Sequence, residues 1–151
     1  MKIQLHAVLL GTCLLCSSAF AHTIEFIGPC SATPLLSVEL GAKFETVGDL
    51  TVYALDKNNV KYLGDEQGIN SAFGTPVGMD SLEVLSDTEM RSYGWCYFVD
   101  GEMSLDYANK FYLKPSDKKI QWVYSYAHLV KDKWVSMCEK AYKVKPKFLC
   151  K

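Results

Sequence analysis

The sequence predicts an α+β fold, a small mixed sheet carrying one main helix and braced by disulfides. Three observations predict it. β-prone segments gather early in the chain and again throughout its second half, a single segment between them carries helix signals, and four cysteines remain once an export segment is set aside. The 151 residues are 49% hydrophobic, with 16 Lys+Arg against 17 Asp+Glu, which suits one compact domain. That balance excludes a disordered tail protein and a nucleic-acid binder.

Residues 1–21 read as a secretory signal. Lys2 precedes an apolar stretch from Ala7 to Leu15, and Ala19-Phe20-Ala21 matches the small-residue pattern that signal peptidase accepts. Cleavage there leaves His22 as the first residue of a single domain, 22–151. The apolar stretch is shorter than the ~20 residues a bilayer span requires, and no later segment is long enough. Leu10-Gly11-Thr12-Cys13 offers a lipid-modified alternative, although Thr12 is an unusual neighbour for such a cysteine. The expected location is secreted or periplasmic.

The elements follow in order. His22 to Ile27 alternates as a first strand and ends at Gly28-Pro29; Val38 to Phe44 is a candidate second strand. Asp49 is a good N-cap for the helix, Val52 and Leu55 share a face, and Lys57-Asn58-Asn59 ends it. A glycine-rich middle with Gly64, Gly68, Gly74, Pro76 and Gly78 reads as loops. Its Gly74-Thr75-Pro76-Val77-Gly78 lacks the Gly-Lys-Ser/Thr ending of a phosphate cradle and reads as turn chemistry. Strands are then expected at Leu82–Leu85, Tyr93–Val99, Phe111–Leu113, Ile120–Tyr126 and Trp134–Cys138, with Asp100-Gly101 closing a hairpin. A terminal strand carries Lys140, Lys143, Lys145 and Lys147, whose charges discourage edge pairing or touch an anionic surface. A β-grasp-like arrangement suits this order.

Cys30, Cys96, Cys138 and Cys150 form two disulfides in an exported chain, with three connectivities open. The short separation of Cys138 and Cys150 favours pairing them, which leaves Cys30 to join Cys96. No Cys-x-x-Cys pair follows the signal segment, so zinc spacing is absent.

The motifs Gly48-Asp49-Leu50-Thr51-Val52, Asn70-Ser71, Gly74-Thr75-Pro76, Leu82-Glu83-Val84, Ser86-Asp87-Thr88-Glu89-Met90-Arg91, Tyr93-Gly94-Trp95-Cys96-Tyr97-Phe98-Val99-Asp100-Gly101 and Ile120-Gln121-Trp122-Val123-Tyr124 occur in a distinctive order. From Gly48 to His128 the chain resembles the domain-of-unknown-function 4430 family, which is similar to the carboxy-terminal domain of transcobalamin. The resemblance implies a β-grasp-like fold, an exported protein and use as a lid over a small ligand. The helical partner domain that completes a cobalamin site is missing from this chain.

Alternation puts Tyr93, Trp95, Tyr97 and Val99 on one face of their strand, in phase with Trp122, Tyr124 and Tyr126 on another. These aromatics are either core or a ligand platform. In the platform reading Trp95, Tyr97, Trp122 and Tyr124 stack on a small molecule or an envelope protein, and Asp100 or Arg91 orients a polar group at the rim. A rival reading uses the processed amino terminus of His22 with His128 as copper ligands, in a copper-binding protein or a copper-dependent oxidase. The carboxylates Asp80, Glu83, Asp87 and Glu89 have hydrolase composition but read as solvated, and no serine-nucleophile motif is present. The expectation is a non-catalytic binding or accessory module without a cofactor.

Overall fold

The computed structural model describes residues 21–41 and 43–151. The expected signal segment and the Cys13 alternative lie outside these residues, apart from Ala21, which opens the first strand. The strands are β1 (Ala21–Ile27), β2 (Pro34–Gly41), β3 (Tyr62–Asp65), β4 (Gly68–Ala72), β5 (Leu82–Ser86), β6 (Glu89–Val99), β7 (Glu102–Met103), β8 (Lys119–Val130) and β9 (Lys133–Lys140); helix α1 (Val47–Lys57) follows β2.

A mixed sheet in the order β2-β1-β8-β6-β5 dominates, with β7 added to β6 and β9 to β8, while β3 and β4 form a separate hairpin. β1 pairs antiparallel with β2 and parallel with β8, so that Phe26 faces Trp122. β6 runs antiparallel to β8 along its whole length. β8 is longer than its neighbours, and on its far side β1 covers the first half and β9 the second. An opening hairpin, a crossing helix and a late strand parallel to the first make the fold β-grasp-like.

The period of two sorts the side chains. Ile24, Phe26, Tyr93, Trp95, Tyr97, Ile120, Trp122 and Tyr124 face α1, whose Val47, Leu50, Ala54 and Leu55 complete the main core. Ile27, Phe98 and Val123 form a smaller cluster on the back of the sheet with Tyr142.

Several expectations are corrected. Thr46, not Asp49, caps the helix: the Thr46 hydroxyl accepts from the Asp49 N–H while the Asp49 carboxylate accepts from the Thr46 N–H. The second strand lies earlier than Val38–Phe44. Part of the glycine-rich middle is the β3–β4 hairpin, bulged at Gly64, where a Cβ would run into the Gly68 carbonyl and φ is 135°. Phe111–Leu113 is not a strand; Tyr112 makes one bridge to Thr46. Nor does the tail continue as a strand, because β9 gives way to a 3-10 turn at Ala141–Lys143 and Pro146 is buried.

The disulfide pairing is also corrected: Cys30 bonds Cys150 and Cys96 bonds Cys138. The register explains the second bond. Between the pairs Tyr126–Glu139 and His128–Ser136, β9 inserts Met137 and Cys138 opposite Ala127 alone. That bulge, with Cys138 at φ 54°, turns its sulfur onto the back of the sheet, where Cys96 points.

Candidate functional site

The aromatics of β6 and β8 pack on one another. Tyr97 and Trp122 have ring centroids 5.2 Å apart, Trp95 and Tyr124 5.5 Å, and Tyr93 stacks on Tyr124 at 6.1 Å. Trp95 is 8% exposed and Trp122 2%, and Tyr97 and Tyr124 are as deeply buried. The rings are therefore taken up by core neighbours, with Trp95 and Tyr97 keeping a small residual exposure.

Polar anchors fix these rings. The Trp122 N–H donates to the Thr51 hydroxyl at 2.8 Å, which donates in turn to the Val47 carbonyl. The Trp95 N–H donates to the Thr75 hydroxyl at 2.9 Å, which donates to Ala72 O, so the Gly74-Thr75-Pro76 turn clamps the tryptophan. The Tyr97 hydroxyl hydrogen-bonds with both Ser104 Oγ and Asp106 O. The buried Tyr124 hydroxyl has no partner among the described residues, and burial pushes its phenol up to about 12.

Arg91 and Asp100 are not brought together; they lie at opposite ends of β6. Arg91 pairs with Glu83 at 3.3 Å and lies over the Tyr126 ring. Burial alone would lower its guanidinium, but contacts with Tyr93 and Glu83 outweigh that and raise it. Tyr93 donates to Glu83 at 2.7 Å; burial first, and then this carboxylate, raise its phenol. The Asp100 carboxylate accepts from the Lys118 and Lys119 N–H groups, holding the chain as it enters β8.

The histidines are also apart. His22 contacts the Asp117 carbonyl through Nδ1 at 2.6 Å, beside the start of β8, whereas His128 contacts Glu89 at 2.8 Å near its end. Lys119 pairs with Thr23 next to His22, so the nine-residue step to His128 spans about 30 Å at ~3.3 Å per residue. One copper ion cannot bridge them within a chain, and no cluster of three metal-ligating side chains occurs among the described residues.

Two of the concavities among the described residues lie along the outer edge of β6. β5 pairs with β6 only as far as Ser92, β7 pairs with Phe98 and Val99, and the Ser104 N–H donates to the Tyr97 carbonyl, so among the described residues no strand pairs with Tyr93–Cys96 on that side. Two clefts open there on either side of Trp95. One, about 440 Å³, is lined by Leu63, Ile69, Pro76, Val77, Ser81 and Tyr93. The other, about 510 Å³, is lined by Asp65, Ile69, Tyr97, Leu105, Asp106 and Tyr107. Leu63, Val77, Met79, Leu105 and Tyr107 are large apolar side chains left exposed around them. Asp65 and Asp106 are the charged residues of the second cleft, and neither forms an ion pair among the described residues.

Trp95 and Tyr97, named from the sequence, line these clefts, whereas the rest of the walls is not legible there. The available signal was the set of apolar residues outside the strands, Val77, Met79 and Leu105, where polar side chains are the norm. Comparisons of the chain with protein-family models, with curated proteins and with solved structures give no match.

Proposed function

We propose that this chain is an exported, non-catalytic binding module whose site is the pair of clefts along the outer edge of β6. The observation that carries the reading is the interrupted ladder outside β6, where two apolar-rimmed hollows flank Trp95 and unpaired carboxylates stand at the margin. Such a site takes a neutral or cationic partner with two apolar groups, either an aromatic amine or a loop of an envelope protein. Export is supported by the Ala19-Phe20-Ala21 segment and by two disulfides, which persist in oxidising compartments. The resemblance to the domain-of-unknown-function 4430 family supports a ligand-covering role. It rests on sequence motifs alone.

The test is a nuclear magnetic resonance screen of aromatic and aliphatic amine fragments, followed through the Trp95 indole N–H and the Leu63, Ile69 and Leu105 methyls. Shifts confined to these groups, abolished together by Leu105→Lys, which sets a like charge against the amines, are expected. Fragments that shift only residues remote from β6, or none, overturn the site.

A further inference from the structure

The sequence divides its charge. From Lys61 to Asp106 there are nine Asp and Glu against Lys61 and Arg91, whereas from Lys140 to Lys151 there are five lysines and no acid. Of the first set, Asp65 and Asp106 line the second cleft and Asp80 adjoins Ser81 of the first; the second set follows β9 on the other side of β8, packs its Phe148 on Tyr93 and runs round to Cys150, which is tied to Cys30 beyond the end of β1. We propose that the partner of the acidic cleft edge is the lysine-rich strap of a second copy of this chain, docked head to tail. This rests on the cleft reading and names its occupant.

Each surface lacks a counter-charge at home. The ion pairs among the described residues join Arg91 to Glu83, Lys119 to Glu25 and His128 to Glu89. Asp65, Asp80 and Asp106 are therefore unpaired, as are Lys143, Lys145 and Lys147, and all six are exposed. Both surfaces also present apolar side chains: Leu63, Met79, Leu105 and Tyr107 around the clefts, Val144 and Phe148 on the strap. The two surfaces are opposite in charge and each carries apolar area, the complementarity that steers and orients association. The formal net charge of −1 leaves little overall repulsion to oppose association. Because the two surfaces differ, the contact is heterologous and grows beyond a dimer unless its rotation closes a ring.

Sedimentation velocity on the disulfide-bonded protein tests this. At low salt the sedimentation coefficient rises with concentration past that of a dimer; at about 1 M salt, where the screening length falls to about 3 Å, it returns to the monomer value. Reversing the strap (Lys143→Glu, Lys145→Glu, Lys147→Glu) or the edge (Asp65→Lys, Asp80→Lys, Asp106→Lys) abolishes association in each variant alone, and mixing the two restores it. A wild-type chain that stays monomeric at low salt overturns the proposal without any variant having to fold. So does association unaffected by either reversal. Binding of the strap to phosphatidylglycerol vesicles by a chain that never self-associates overturns it too, assigning the lysines to an anionic bilayer. Monomeric protein whose Trp95 still responds to amine fragments refutes the self-docking and leaves the cleft as the site; silence in both experiments refutes the cleft as well.

Discussion

Tyr124 shows what a single hydroxyl does inside this domain. Its ring is fully buried against Tyr93 and Trp95, yet its oxygen has no hydrogen-bond partner among the described residues. Leaving a buried hydroxyl unmade costs about 1–3 kcal/mol, so Tyr124→Phe is expected to stabilise the protein by about 1 kcal/mol in chemical denaturation. The same burial raises the phenol from 10.0 to about 12. The folded state thus holds this proton more tightly than the unfolded chain does. Its contribution is fully present below pH 10 and is lost as pH climbs from 10 towards 12. Thermal midpoints measured across that window should fall with pH, less steeply in Tyr124→Phe. Period-two alternation put Tyr124 on the correct face from sequence, but it offered no way to distinguish a covered face from an open one. That depends on α1, the β3–β4 hairpin and the tail, which arrive from elsewhere in the chain.

At the scale of elements, the helix was legible and its first turn was not. Asp49 has the chemistry of an N-cap, but Thr46 three residues earlier closes a reciprocal box that uses Asp49 as its acceptor. Thr46→Ala removes that box and is expected to cost about 1 kcal/mol, read as a lower denaturation midpoint with unchanged slope. β6 and β8 were legible because both are long and rich in aromatic and β-branched residues. β3, β4 and the Met137–Cys138 bulge were not, since glycine and a one-residue slip leave no periodic trace. The clefts depend on those features, which is why their walls went unread while Trp95 and Tyr97 did not.

At the scale of the molecule, the mixed α+β class followed from element order, whereas the disulfide pairing did not. Spacing favours the shorter loop, but the bond that forms between Cys30 and Cys150 spans 120 residues. In the chain-entropy treatment that cross-link stabilises the fold by about 5 kcal/mol, against about 4 kcal/mol for Cys96–Cys138 across 42 residues. Replacing Cys30 and Cys150 together by Ala should therefore cost more in denaturant than replacing Cys96 and Cys138. It should also free the tail, with faster amide exchange in residues 144–151 as the check.

The parallel pairing of β1 with β8 reaches beyond stability. Glu25 meets Gln121 across 96 residues of chain, so the innermost strand of the sheet is nearly the last to be synthesised. An emerging polypeptide has no native neighbour for one side of β1 until almost all of it is available. Closure of such distant contacts is slow. The half-made chain thereby lacks the central strand on which its first hairpin rests, and takes its final shape only once nearly all of it has been made.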